Sequence, residues 1–88
     1  MPETTEWFLY MIRCNNGQLY TGISTDVERR FMEHQSGKGA KFLRGKSPLT
    51  LVYQKKIGSC SAALKAEITM KKRSKTDKEY IIKQAGSE

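Results

Sequence analysis

The sequence predicts a small α/β (α+β) domain: a three-stranded antiparallel sheet flanked by helices, in the order β-β-α-β-α-α. Three observations point there. The stretch FLYMIRCNNGQLYTG, from Phe8 to Gly22, sets two apolar, β-prone runs around a turn signal. Two later segments show helical apolar spacing behind serine or threonine caps. The chain has 88 residues, room for one small domain, with its core expected over about residues 6–82.

The elements follow in order. Residues 7–14 read as a strand with apolar residues on both faces, and residues 18–23 as its partner. Asn15-Asn16-Gly17 marks the hairpin, because Asn and Gly tolerate the positive φ of tight turns. Two registers are open. A two-residue loop puts Tyr10 opposite Ile23 and sends Tyr10 and Tyr20 to opposite faces. A three-residue loop with Gly17 in a left-handed bulge puts Tyr10 opposite Gly22, and the two phenols share a face. Thr25 followed by Glu28 forms a capping box, so a helix starts there and runs to about His34. Residues 35–48, QSGKGAKFLRGKSP, form a loop with one helical turn near 40–44. Residues 49–57 make the third strand. Ser59 or Ser61 caps a longer helix to about Arg73, and Thr76 or Asp77 opens a last helix ending near Gly86.

Composition narrows the function. Hydrophobic residues are 38%, and no apolar run approaches the roughly 20 residues of a membrane span. The opening MPETTEW has no basic segment followed by an apolar one, so a cytoplasmic protein is expected. Cys14 and Cys60 have neither metal spacing nor a CxxC motif and read as small thiols in a reducing compartment. The net charge is +7 and unevenly spread. From Lys38 to Lys83 there are thirteen Lys/Arg against three acids, Glu67, Asp77 and Glu79. A basic half on a small domain favours a polyanionic partner, most simply nucleic acid.

Candidate chemistry sits in four places. Tyr10 and Tyr20 occupy neighbouring strands, and on a shared face they stand beside Gly22, where a ligand can come close. Val27, Arg30, Phe31 and His34 share a helix face. Arg29 is expected to pair with Glu33 on the solvent side, which leaves Arg30 as the arginine whose fork fits a phosphate. Glu67 lies beside the apolar stripe of its helix and needs a cation, either Lys71 at i+4 or a divalent metal. The loop sets Lys38, Lys41, Arg44 and Lys46 among glycines, without a Walker A spacing, as a candidate clamp for a sugar-phosphate backbone.

Together these residues resemble the GIY-YIG nuclease superfamily. Phe8-Leu9-Tyr10 stands for its first motif and Tyr20-Thr21-Gly22 for its second. Arg30 follows ten residues after the second tyrosine, with His34 one turn on, and Glu67 lies on the later helix. The similarity extends from about Glu6 to Ile82, and the GKGAKFLRGKSPLTLVY stretch looks most like the small stand-alone bacterial proteins of the UPF0213 type. The chain departs from the pattern in reading FLY for GIY and YTG for YIG, but it keeps both tyrosines and Gly22.

The resemblance implies an endonuclease that hydrolyses phosphodiesters, DNA sooner than RNA, with one Mg²⁺ or Mn²⁺. It implies catalytic roles for Tyr10, Tyr20, Arg30, His34 and Glu67, with Glu67 holding the metal. Tyr10 is the favoured base, Tyr20 the positioner, and His34 a hydrogen-bond partner of a tyrosine or a proton relay. Gly22, Lys38, Lys41, Arg44, Lys46 and Lys71 would contact nucleic acid. DNA repair or processing is the implied setting, and no membrane partner is expected. The alternative is a non-catalytic nucleic-acid-binding module on the nuclease fold. Such a binder has no use for Glu67, whose charge repels phosphate unless a metal intervenes.

Overall fold

The computed structural model describes residues 5–86. The observed order is β1 (Trp7–Arg13), β2 (Leu19–Ser24), α1 (Val27–Gln35), a 3-10 turn over Lys41–Leu43, β3 (Thr50–Gly58), α2 (Cys60–Lys71) and α3 (Lys75–Gly86). The strands form one antiparallel sheet in the order β2-β1-β3. β1 is central, which explains why it is apolar on both faces. Its even-numbered side chains, Tyr10 and Ile12, pack with Val27, Leu43 and Leu49. Its odd-numbered ones, Leu9 and Met11, pack with Met70, Ala66 and Ile81. The sheet is therefore covered by α1 and the basic loop on one face and by α2 and α3 on the other. Among the described residues no helix is long and apolar enough to cross a membrane.

The hairpin takes the three-residue form. Gly17 has φ +89°, which a side chain would resist. Tyr10 then pairs with Gly22 and Ile12 with Tyr20, so the two tyrosines are diagonal neighbours on one face.

Two helix starts differ from the sequence expectation. Asp26 caps α1, its carboxylate accepting the Arg29 N–H at 3.1 Å, while its own N–H goes to Ser24 Oγ at 3.0 Å. The Thr25–Glu28 capping box is not used. A charged acceptor one residue later serves the open N–H groups better than a hydroxyl. The third helix begins earlier than Thr76 or Asp77, because Ser74 Oγ accepts the Asp77 N–H at 3.1 Å. Ser59, not Ser61, caps α2 by accepting from Ala62 N–H at 3.1 Å.

The loop between α1 and β3 is stitched to its surroundings. Asn15 N–H donates to the Lys46 carbonyl at 3.0 Å, and the Asn15 amide donates to the Ser47 carbonyl at 2.9 Å. Gln35 Oε1 accepts the Leu49 N–H at 3.1 Å. Leu43 anchors the middle of the segment in the core. These ties hold the glycine- and lysine-rich stretch against the tyrosine face of the sheet.

Candidate active site

Tyr10 is the hub. Its ring is 1% exposed and lies over Gly22. A Cβ at Gly22 would stand 2.7 Å from the Tyr10 hydroxyl and 3.1 Å from the Tyr20 ring. The close approach expected at Gly22 is thus made by the tyrosines themselves. Glycine leaves the hollow in which the Tyr10 phenol is seated.

His34 completes the cluster from α1. It is 1% exposed, and its ring centroid lies 6.1 Å from that of Tyr10 and 5.4 Å from that of Tyr20, edge-on to the latter. Its Nε2 is 2.9 Å from Tyr10 Oη, and the Ala40 N–H donates to its Nδ1 at 3.1 Å. An amide hydrogen cannot be shared with a protonated ring nitrogen, so Nδ1 is bare. The neutral ring then carries its hydrogen on Nε2 and donates it to the Tyr10 oxygen. Burial, aided by the Arg30 charge, lowers the His34 pKa and keeps the ring neutral.

The phenol of Tyr10 is pushed up to about 12. Burial is the main cause, with Tyr20 and Glu67 adding to it, while the Arg30 guanidinium pulls the other way. Tyr10 therefore feels Tyr20 from β2, Arg30 from α1 and Glu67 from α2 at once. Groups far apart along the chain are gathered within electrostatic reach of one hydroxyl.

Arg30 is half-buried, and Glu33 holds it at 2.9 Å. The sequence expectation assigned Glu33 to Arg29. That contact is longer, at 4.0 Å, with the Arg29 side chain largely in solvent, and the half-buried Arg30 makes the closer i,i+3 pair. Glu67 has a side chain 19% exposed and pairs with Lys71 at 3.2 Å. Among the described residues no group of three or more His, Cys, Asp or Glu side chains could enclose a metal ion. The hard oxygens present, one carboxylate and two phenols, suit an ion that keeps most of its waters, as Mg²⁺ does.

The model of the GIY-YIG catalytic domain matches residues 6–81. The chain belongs to the GIY-YIG family. Its relatives are UPF0213 proteins. One from Cronobacter sakazakii is 58% identical over 77 residues, covering 88% of this chain and 81% of the relative. The UPF0213 protein YhbQ of Escherichia coli is 56% identical over 78 residues, covering 89% and 78%. Two solution structures share the fold. The UPF0213 protein BH0048 from Bacillus halodurans has a TM-score of 0.61 at 38% identity, over 93% of this chain and 87% of its own. The protein EF2693 from E. faecalis has a TM-score of 0.65 at 34% identity, over 100% and 94%. The GIY-YIG module is a nuclease module, so the substrate class that goes with this family is nucleic acid.

In this GIY-YIG chain the expected basic contacts divide. Lys38, Lys41 and Arg44 are exposed on the loop and free of ion pairs among the described residues. Lys46 lies over the Phe42 ring, 3.5 Å from its centroid, and Lys71 is engaged by Glu67. Three neighbours of the cluster escaped the sequence reading. Phe42 stacks on Tyr20 at 6.1 Å, Ala40 supplies the N–H to His34, and Gly39 leaves room for that ring. The GKG run hinted at close packing, but only the folded loop shows which glycine meets His34.

Proposed function

We propose that this GIY-YIG protein is a cytoplasmic, divalent-metal-dependent endonuclease that hydrolyses phosphodiester bonds in DNA. Residues 1–88 are taken as one catalytic module. The observation that carries the reading is the meeting of Tyr10, Tyr20, His34 and Arg30 on one side of the sheet, with Glu67 close enough to act on the Tyr10 phenol. The Arg30 guanidinium and the Glu67 carboxylate, each paired within its own helix, both act on the buried Tyr10 hydroxyl, the kind of charge arrangement found at catalytic sites.

Glu67 would hold Mg²⁺ or Mn²⁺, which when bound polarises a phosphate oxygen and eases departure of the leaving oxygen. Arg30 offers a planar fork to the phosphate and stabilises the charge that builds on it. To do so it exchanges Glu33 for substrate. Tyr10 receives the His34 Nε2–H, so its oxygen is held as an acceptor and its own proton points away from His34. That arrangement orients a base and favours its phenolate. It also gives His34 an orienting task and leaves Nδ1 occupied by the Ala40 amide. Burial outweighs the pull of the Arg30 guanidinium, so Tyr10 would remove a proton from water only with further positive charge beside it, which the bound ion would supply. Tyr20, half-buried and nearer the loop, positions the water or the phosphate. Lys38, Lys41 and Arg44 grip the backbone of the strand.

The test is incubation of labelled single- and double-stranded DNA with Mg²⁺ or Mn²⁺, comparing the parent chain with Glu67→Ala. Metal-dependent cutting that Glu67→Ala abolishes is expected. Salt-sensitive binding without cutting, unchanged by the substitution, would instead identify a binding module.

A further inference from the structure

Beside the tyrosine cluster lies a cleft of about 210 Å³ lined by Gln18, Leu19, Phe42, Lys75 and Lys78. None of these five residues takes part in the chemistry above. Phe42 is 42% exposed, a large ring left partly in water. It lies nearly parallel to Tyr20, 24° between planes and 6.1 Å between centroids. Tyr20 in turn meets His34 edge-on. A file of rings thus runs from the buried Tyr10–His34 pair outward to Phe42. The Lys46 ammonium sits 3.5 Å from the centre of the Phe42 ring. Lys46 is held there only by its flexible stem, so a stacking group can displace the ammonium from the ring. A planar group can take the same place at a similar height. Lys75 and Lys78 put two cations on the cleft wall, and Lys75 is only loosely held by Glu79, at 3.6 Å. The cleft is smaller than the roughly 300–1,000 Å³ of drug-sized sites and suits one flat ring.

We propose that this cleft is a nucleobase subsite: Phe42 stacks an unpaired base of the nucleotide next to the scissile phosphate, and Lys46, Lys75 and Lys78 hold the flanking phosphates. The proposal deepens the nuclease reading and rests on it. It also assigns a substrate class, because a base inside a duplex is already stacked on its neighbours. Single strands, frayed ends and branched structures present the free face the cleft needs. Stacking on an aromatic side chain is tolerant of sequence, so the subsite would select for unpaired structure and not for a particular base.

The experiment uses the full chain carrying Glu67→Gln, so that no strand is cut during binding. Fluorescence anisotropy reports its affinity for a labelled eight-nucleotide thymidine strand, for the same strand in a duplex, and for an eight-unit strand of abasic sugar-phosphate. Phe42→Leu keeps an apolar side chain against Tyr20 but removes the ring. It is expected to weaken binding of the thymidine strand roughly tenfold and to leave the abasic strand within twofold. Phe42→Trp restores or improves the thymidine affinity. Tyr80→Leu, at another exposed aromatic ring, changes neither. Equal losses on both strands, or no loss on the thymidine strand, would overturn the stacking role. So would tighter binding to the duplex than to the single strand. If the chain with Phe42 intact binds no strand at all, the nucleic-acid reading fails and the cleft falls with it.

Discussion

Replacing Gly39 by alanine should be among the most damaging small changes this fold can suffer. Gly39 is not one of the glycines with positive φ, so its backbone suits alanine. The obstacle is space. A Cβ there would stand 2.0 Å from His34 Nδ1, 2.8 Å from Cε1 and 2.9 Å from Cγ. The ring cannot retreat freely, because it is buried and held at both nitrogens, by Ala40 N–H at 3.1 Å and by Tyr10 Oη at 2.9 Å. Either the loop lifts and loses the first bond, or the ring turns and loses the second. Overpacking a core position costs about 1–3 kcal/mol. A hydrogen bond lost with its partner still buried adds about 1–3 kcal/mol. The loss of unfolded-state freedom on going from glycine to alanine returns about 0.4–1 kcal/mol. The expected net destabilisation is about 2–4 kcal/mol, or roughly 10–25 °C in Tm for a domain of this size. Urea unfolding followed by circular dichroism measures it. The mechanism is isolated by repeating the substitution in a His34→Ala background, where the clash partner is gone. There Gly39→Ala should cost less than about 1 kcal/mol. An equal cost in both backgrounds, or no cost in the parent, would refute the steric reasoning.

Other consequences can be checked independently. Thr21 is buried in β2, and its hydroxyl has no hydrogen-bond partner among the described residues, so Thr21→Val should stabilise by about 1 kcal/mol in the same urea assay. The raised Tyr10 pKa means the unfolded chain releases this proton first as pH climbs. Stability from this group is intact below pH 10 and lost by about pH 12, roughly 2–3 kcal/mol in all. Tyr10→Phe should flatten that alkaline limb of the urea midpoint. His34 has a lowered pKa, so the unfolded chain takes up the proton first in acid. The stability it contributes is present above pH 6.5 and fades as pH falls below it, a slope that His34→Gln should remove. Glu33→Gln releases Arg30 from its partner and should tighten single-strand binding about two- to fivefold at low salt, with weaker binding counting against a phosphate role for Arg30.

Much of this protein could be read from local patterns, because local physics decides them. The Asn15-Asn16-Gly17 turn, the alternation of apolar residues along β1 and the 3.6-residue spacing of α1 each need only a short window of chain. Membership of the GIY-YIG family was legible for the same reason: a motif is a spacing. Competition between near-equal partners was not. Asp26 rather than Thr25 caps α1, and Arg30 rather than Arg29 takes Glu33 more closely, because differences of about a kilocalorie turn on where the helix meets the sheet. Contacts across long stretches of chain were out of reach altogether. That the loop returns its Ala40 amide to His34, fixing which ring nitrogen faces Tyr10, and that Phe42 lands on Tyr20, depends on how the loop is tied to Asn15 and Gln35. The residue types were written in the chain, but the direction of a hydrogen bond and the crowding at a glycine exist only once distant segments share a volume.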